Sequence, residues 1–287
     1  MLQSSHKGSG LFGEIPAGLR VAGPRHRTLQ VDTMKLIVLG SGTSLPHPRR
    51  TSAAYWLQSE GGSLLLDMSA DAPHRMAQEQ LDWVNLDAIW ISHFHLDHLG
   101  GLAPFLFGTR SAPQTQQRHK RLGIFGGAGL KALLETIDQA NDYRLFKQPF
   151  PVEIIEVAPR SEFEILPGLI ARTISTPHTK ESLAIRLTEK SGTVIVYTSD
   201  TGYSDELLEF ARGVDLLLME CSFYKNKPVK AHLELKEAMQ VAQICNPQKL
   251  VLSHLYFEWD GIDLAAEARK LWSGETIEAF DGLRLEF

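Results

Sequence analysis

The segment His93-Phe94-His95-Leu96-Asp97-His98 sets four metal-ligand side chains into six positions, directly after the apolar run Asp87-Ala88-Ile89-Trp90-Ile91. That run reads as a buried strand, so the cluster sits at a strand end, where scaffolds usually present their chemistry. Neutral imidazole and carboxylate are the borderline donors that hold Zn²⁺, Mn²⁺ or Fe²⁺, and a group this dense is costly to bury without a cation.

Three further ligand-type residues close apolar strands in the same way. His178 follows Ile174-Ser175-Thr176-Pro177, Asp200 follows Val194-Ile195-Val196-Tyr197-Thr198-Ser199, and His254 follows Leu250-Val251-Leu252-Ser253. One histidine at a strand end is ordinarily a hydrogen-bonded or surface residue. Three such positions beside the dense cluster point to a single metal site.

Composition narrows the classes open to the chain. Its 287 residues allow one large domain or two small ones, and 43% hydrophobic with 22% charged residues suits a soluble globular protein. The net charge of −5 gives no general basic field for nucleic acid. Cys221 and Cys245 are unclustered, which excludes a CxxC-type zinc site and fits buried thiols in a reducing, cytoplasmic setting. No stretch of 18 apolar residues is present and the N-terminus lacks a signal-peptide pattern, so no membrane association is expected. Residues 1–33, rich in Ser, Gly, Pro and basic side chains, read as a flexible extension, with the folded domain expected over 34–287.

Strands are expected at 35–39, 53–58, 63–67, 88–92, 122–125, 152–157, 169–175, 183–188, 193–198, 215–219 and 249–253. Helices are expected at 73–79, 126–139, 204–211, 233–245 and 262–272. Apolar strands mixed with helices that must cover both faces argue for an α/β fold of two mixed sheets sandwiched between helices.

With these residues in place, the chain resembles the metallo-β-lactamase superfamily over about Met34 to Phe287. Asp67, His93, His95, Asp97, His98, His178, Asp200 and His254 fall on its successive motifs. The resemblance implies an αββα sandwich with two divalent metal ions, zinc favoured and manganese or iron allowed. It implies that His93, His95 and His178 hold the first ion, Asp97, His98 and His254 the second, and Asp200 both. Asp67 matches the position that orients the ligand loop by hydrogen bonding. Such a centre stays net positive and welcomes an anionic substrate; a water activated by both ions would be the nucleophile, with Asp97 orienting it or taking its proton.

Within the superfamily, Leu39-Gly40-Ser41-Gly42-Thr43-Ser44 and Glu220-Cys221-Ser222-Phe223 are similar to stretches of the ribonuclease Z-like branch. His232, ahead of a helical segment, matches the extra histidine of its phosphodiesterases, where it contacts phosphate and protonates the leaving oxygen; Glu220 would tune it. The 22-position step from His178 to Asp200 leaves no room for the arm that many transfer-RNA-processing members carry there. A small or cyclic phosphodiester is therefore expected rather than RNA, with the tRNA 3′-end endonuclease and the lactonase or thioesterase as alternatives and a homodimer left open. Ser41 and Thr43 in the glycine-rich turn, and Arg49 and Arg50 in the next loop, are weaker candidates for phosphate contact. His6, His26, His47, His74 and His119 are read as surface residues. The apolar stretch Leu102 to Phe107 is expected to pack under the metal loop, with pocket lining as the alternative.

Overall fold

The computed structural model describes residues 34–287, and the expected N-terminal extension, with His6 and His26, lies outside the described residues. Among those described, the first half of the chain runs β1 (Lys35–Gly40), β2 (Ala54–Ser59), β3 (Gly62–Leu66), α1 (Ala72–Gln78), β4 (Ala88–Ile91), α2 (Leu96–Leu99), α3 (Leu102–Thr109), β5 (Leu122–Gly126), α4 (Leu130–Gln139) and β6 (Val152–Glu156). The second half runs β7 (Glu162–Leu166), β8 (Leu169–Ser175), β9 (Leu183–Glu189), β10 (Val194–Tyr197), α5 (Asp205–Phe210), β11 (Leu216–Glu220), α6 (Leu235–Cys245), β12 (Lys249–Ser253), α7 (Leu264–Arg269), β13 (Glu275–Glu278) and β14 (Arg284–Glu286).

The strands form two seven-stranded sheets, ordered β14-β1-β2-β3-β4-β5-β6 and β13-β12-β11-β10-β9-β8-β7. Each sheet joins an antiparallel meander to a parallel run, β3 to β6 in the first and β10 to β13 in the second. Period-two alternation explains the layering. On β4, Ala88 and Trp90 face the core between the sheets, while Ile89 and Ile91 face the helices. On β11, Leu216 and Leu218 join the same central core, and Leu217 and Met219 pack under α5, α6 and α7. Strands buried on both faces need covering on both, which yields helix, sheet, sheet, helix, the αββα sandwich.

All eleven strands expected from the sequence are present, within a residue or two of their bounds; the five expected helices are present too, the last running Leu264–Arg269 within the expected 262–272. The helix expected from 126 begins at Leu130, because Gly126 closes β5 and Gly129, at φ +100°, makes the left-handed turn into the helix. Three strands were not anticipated: β7 (EFEIL), β13 (ETIE) and β14 (RLE). Each is a sheet edge, where charged residues guard unpaired backbone and blur the apolar signal. The stretch from Leu102 folds as α3, with Pro104 tolerated in its first turn. The core-packing reading holds. Leu102, Phe105 and Leu106 enter the core beneath the metal loop, while Ala103, Pro104 and Phe107 line an outer cleft of about 360 Å³ that contains no ligand-type residue. Cys221 and Cys245 are buried free thiols. No helix among the described residues is long and apolar enough to cross a membrane.

Candidate metal centre

Every ligand-type residue emerges from the C-terminal end of a strand or the loop after it. His93 to His98 follow β4, His178 follows β8, Asp200 follows β10 and His254 follows β12. Parallel strands point these ends the same way, which is how a sandwich gathers residues far apart in sequence. Three of the turns require left-handed backbone at residues other than glycine: Asp67 (φ 62°), Ser199 (φ 60°) and His254 (φ 58°). Such conformations cost on the order of 1–3 kcal/mol each and persist where the surroundings enforce them.

The side chains converge on one carboxylate oxygen. Asp200 Oδ2 lies 3.3 Å from His98 Nε2 and from His254 Nε2, 3.7 Å from His178 Nε2 and 3.8 Å from His93 Nε2. Asp97 Oδ2 lies 3.6 Å from His254 Nε2 and 3.8 Å from His98 Nε2, and His95 Nδ1 is 3.0 Å from His178 Nε2. Three donor sets result, the ligand atoms within each lying within 4.8 Å of one another: His93, His95, His178 and Asp200; Asp97, His98 and His254; and Asp200, His232 and His254.

The far nitrogens of these rings are tied to hydrogen-bond partners, which fixes the tautomers. His98 Nδ1 donates to Asp67 Oδ2 at 2.7 Å, His178 Nδ1 to the Ala231 carbonyl at 2.9 Å and His254 Nδ1 to Ser222 Oγ at 2.9 Å. Asp67 also accepts from Ser92 N and Oγ and from the Tyr197 hydroxyl, at 2.6 to 2.8 Å. Each imidazole so held turns a bare Nε2 lone pair inward. His93, His98 and His254 have Nε2 atoms that are buried with no hydrogen-bond partner among the described residues. Orphaned buried acceptors around a buried carboxylate are what a divalent cation satisfies, so the donor set fits metal.

Electrostatics agree. Burial and the neighbouring His98 push His93 far below the ordinary histidine value, holding it neutral as a ligand must be. Burial would lower His98 too, yet Asp200 and Asp67 on either side raise it well above that value: the pocket calls for positive charge where its Nε2 points. Burial opposes the charge on Asp200, but His254 and His98 hold its carboxyl well below the usual range.

His232 sits against this cluster. Its ring stacks on His254 (centroids 5.4 Å apart, planes at 15°) and meets His178 edge-on at 4.9 Å. Its Nδ1 donates to Glu220 Oε1 at 2.9 Å. It does not cap α6, whose N-cap is Glu234 in a capping box with Glu237. Burial lowers its proton affinity, but the hydrogen bond and charge of Glu220 outweigh this and raise it above the ordinary value. Glu220 is buried and accepts in addition from Thr201 N, Leu233 N and Ser222 Oγ.

Three of the four weaker candidates are buried and engaged within the protein. Ser41 is fully buried and its hydroxyl and N–H both donate to Asp281, while Gly42 N donates to Thr51 O, so these two N–H groups are engaged within the protein. Gly40 and Gly42 serve close packing instead: a Cβ on Gly40 would lie 1.9 Å from Ser52 O. Thr43 is buried, its Oγ1 accepting from Leu45 N. Arg50 is buried, pairing with Asp260 at 2.8 Å and Glu278 at 3.6 Å, and exposed Arg49 also reaches Asp260. Arg50 is thus committed within the protein, whereas Arg49 keeps most of its side chain in solvent. His47 is not a surface residue, since its side chain is 4% exposed and its Nε2 donates to Asp260; His74 and His119 are exposed. Sequence reasoning missed Tyr197, Asp260 and Asp281 and gave Ser222 no role of its own.

Fold and site together define a metal-dependent hydrolase of the metallo-β-lactamase superfamily, in its ribonuclease Z-like branch. The nearer kinship is narrower. The chain belongs to the family described as "Anti-Pycsar protein Apyc1", whose family model matches residues 34–268. It is 28% identical over 252 residues to the "Probable metallo-hydrolase YhfI" of Bacillus subtilis, covering 87% of this chain and 98% of that one. The crystal structure of YhfI superposes with a TM-score of 0.74 at 26% identity, over 89% of this chain and all of the other. A ribonuclease Z of Archaeoglobus fulgidus is 28% identical over 302 residues, covering 88% of this chain and 97% of its own. A diphosphatase of the PhnP family shares the fold, with a TM-score of 0.68 at 23% identity over 88% and 98% of the two chains.

Proposed function

We propose that the protein is a dinuclear phosphodiesterase acting on small or cyclic phosphodiesters. The observation that carries this reading is the Glu220–His232 pair, hydrogen-bonded at 2.9 Å, with a His232 ring nitrogen within 4.8 Å of ligand atoms on Asp200 and His254. Hydrolysis of a phosphodiester expels an alkoxide, which needs a proton, and this pair is built to deliver one.

In this reading His93, His95 and His178 hold one divalent ion, Asp97, His98 and His254 a second, and Asp200 both, with zinc favoured. When bound, two such ions supply a nucleophile from water at neutral pH and neutralise charge on the phosphoryl oxygens. The chain's own residues do the rest. Asp97 orients the attacking water and accepts its proton: burial opposes its charge, but the neighbouring His254 and His98 keep its carboxyl below the ordinary value. Glu220 fixes His232 through Nδ1 and leaves Nε2 to give its proton to the departing oxygen, the division of labour used wherever a carboxylate orients a catalytic imidazole.

Precursor tRNA is the second substrate to test, because several relatives are named ribonuclease Z. Against it, His178 and Asp200 are separated only by β9 and β10 and a turn at residues 190–193, with no projecting arm for a folded RNA. The deciding experiment measures turnover of bis(p-nitrophenyl) phosphate, 2′,3′- and 3′,5′-cyclic nucleotides, precursor tRNA, a lactone and a thioester by zinc-loaded protein. Preference for the small phosphodiesters is expected. Faster lactone or thioester cleavage would overturn the reading.

A further inference from the structure

The segment from Gly40 to Thr51 grips the segment from His254 to Asp260 at both ends. At one end the Ser41 carbonyl accepts from Leu255 N at 3.0 Å, immediately after His254. At the other, Arg50 and His47 both bond Asp260, at 2.8 and 3.0 Å. His254, in left-handed backbone, immediately precedes the first of these ties, so the tie at Leu255 helps to set the path of its main chain.

The gripping segment is itself fastened by one carboxylate from the far end of the chain. Asp281 Oδ1 accepts from Ser41 N at 2.9 Å and Ser41 Oγ at 2.8 Å; Oδ2 accepts from Thr51 N and Thr51 Oγ1, both at 2.8 Å. Four donors from both stems of one loop converge on a side chain 240 positions from the first of them. A carboxylate with both oxygens doubly bonded is a strong local cross-link, since each is a charge-assisted bond. Asp281 also lies beyond residue 268, where the family match ends.

We infer that Asp281 is a positioning residue for the metal centre: it holds Ser41 so that the Ser41 carbonyl sets Leu255 and thereby aims His254 at the ion shared with Asp97 and His98. This rests on the dinuclear reading above. The connection from β13 in one sheet to β14 in the other is then part of the working centre and not only a link between sheet edges.

The test is a zinc titration against a competing chelator on the full chain, with cobalt substitution giving a spectroscopic signal for each equivalent. Asp281→Asn is expected to bind the first equivalent as the wild type does and the second at least about tenfold more weakly, the scale seen when groups that orient ligands are removed. Arg284→Ala is the control, because Arg284 ties the same C-terminal segment to Glu79 at 2.8 Å without touching Ser41. It should leave both equivalents intact. Should Asp281→Asn not fold, the Ser41→Ala, Thr51→Ala double variant removes two of the four donors and should weaken the second equivalent partially. Unchanged second-equivalent affinity, or equal weakening by Arg284→Ala, overturns the inference. A wild-type protein binding fewer than two equivalents would instead overturn the dinuclear reading.

Discussion

Asp67 and His98 are joined by a 2.7 Å hydrogen bond between two fully buried side chains. The bond puts the proton on His98 Nδ1 and so makes Nε2 a ligand. Tyr197 and Ser92 complete the shell around Asp67, which brings together one residue from each sheet and the start of the ligand loop. Asp67→Asn keeps the shape but offers an amide where His98 and Tyr197 both need an acceptor. Zinc affinity is expected to fall about 10- to 100-fold, read by chelator competition, with the αββα circular-dichroism spectrum retained.

The pairing of Glu220 with His232 makes a different kind of demand. His232→Ala is expected to lower kcat for phosphodiesters by roughly 10² or more while zinc content stays at the wild-type value. Because a ring nitrogen of His232 also lies within reach of Asp200 and His254, metal analysis of the same variant is essential. Loss of an equivalent would make His232 a ligand and remove its role as proton donor.

Most of this site was legible because ligands at strand ends carry two signals at once, an apolar run and an abrupt metal-binding residue. His93, Asp200 and His254 stand out that way, and Asp67 through the resemblance, which places it as the residue that orients the ligand loop. The orienting residues carry no such signal. Tyr197 reads as the apolar end of β10, and its hydroxyl meets Asp67 from 130 positions away; Asp281 sits in an ordinary Asp-Gly turn. Arg50 and Ser41 misled for the opposite reason, being residue types that suit phosphate but whose partners, Asp260 and Asp281, come from the far end of the chain. The edge strands β7, β13 and β14 were hidden by the charges that protect them.

Arg118 offers a test of the scaffold independent of the metals. Its buried guanidinium donates to the carbonyls of Val84, Leu86, Lys120 and Arg121, at 2.6 to 3.1 Å, and lies over Phe150 at 4.2 Å. It thereby ties together the two loops that lead into β4 and β5. Arg118→Ala leaves several carbonyls without a donor and is expected to destabilise the fold by on the order of 3 kcal/mol, measured by urea unfolding, since each buried group left unpaired costs about 1–3 kcal/mol.

Asp260 gives the stability a defined pH dependence. Hydrogen bonds from His47 and then Arg50 lower its carboxyl from 3.8 to about 2. A carboxylate with a depressed folded value stabilises the protein fully above its unfolded value and loses that contribution as pH falls through the folded one. The wild type should therefore exceed Asp260→Asn in Tm at neutral pH, and the gap should narrow as acid is added from about pH 4 toward pH 2. Scanning calorimetry of both proteins across that window is the check. A gap that stays constant down to pH 2 would mean that the ties from His47 and Arg50 do not depend on the charge of Asp260.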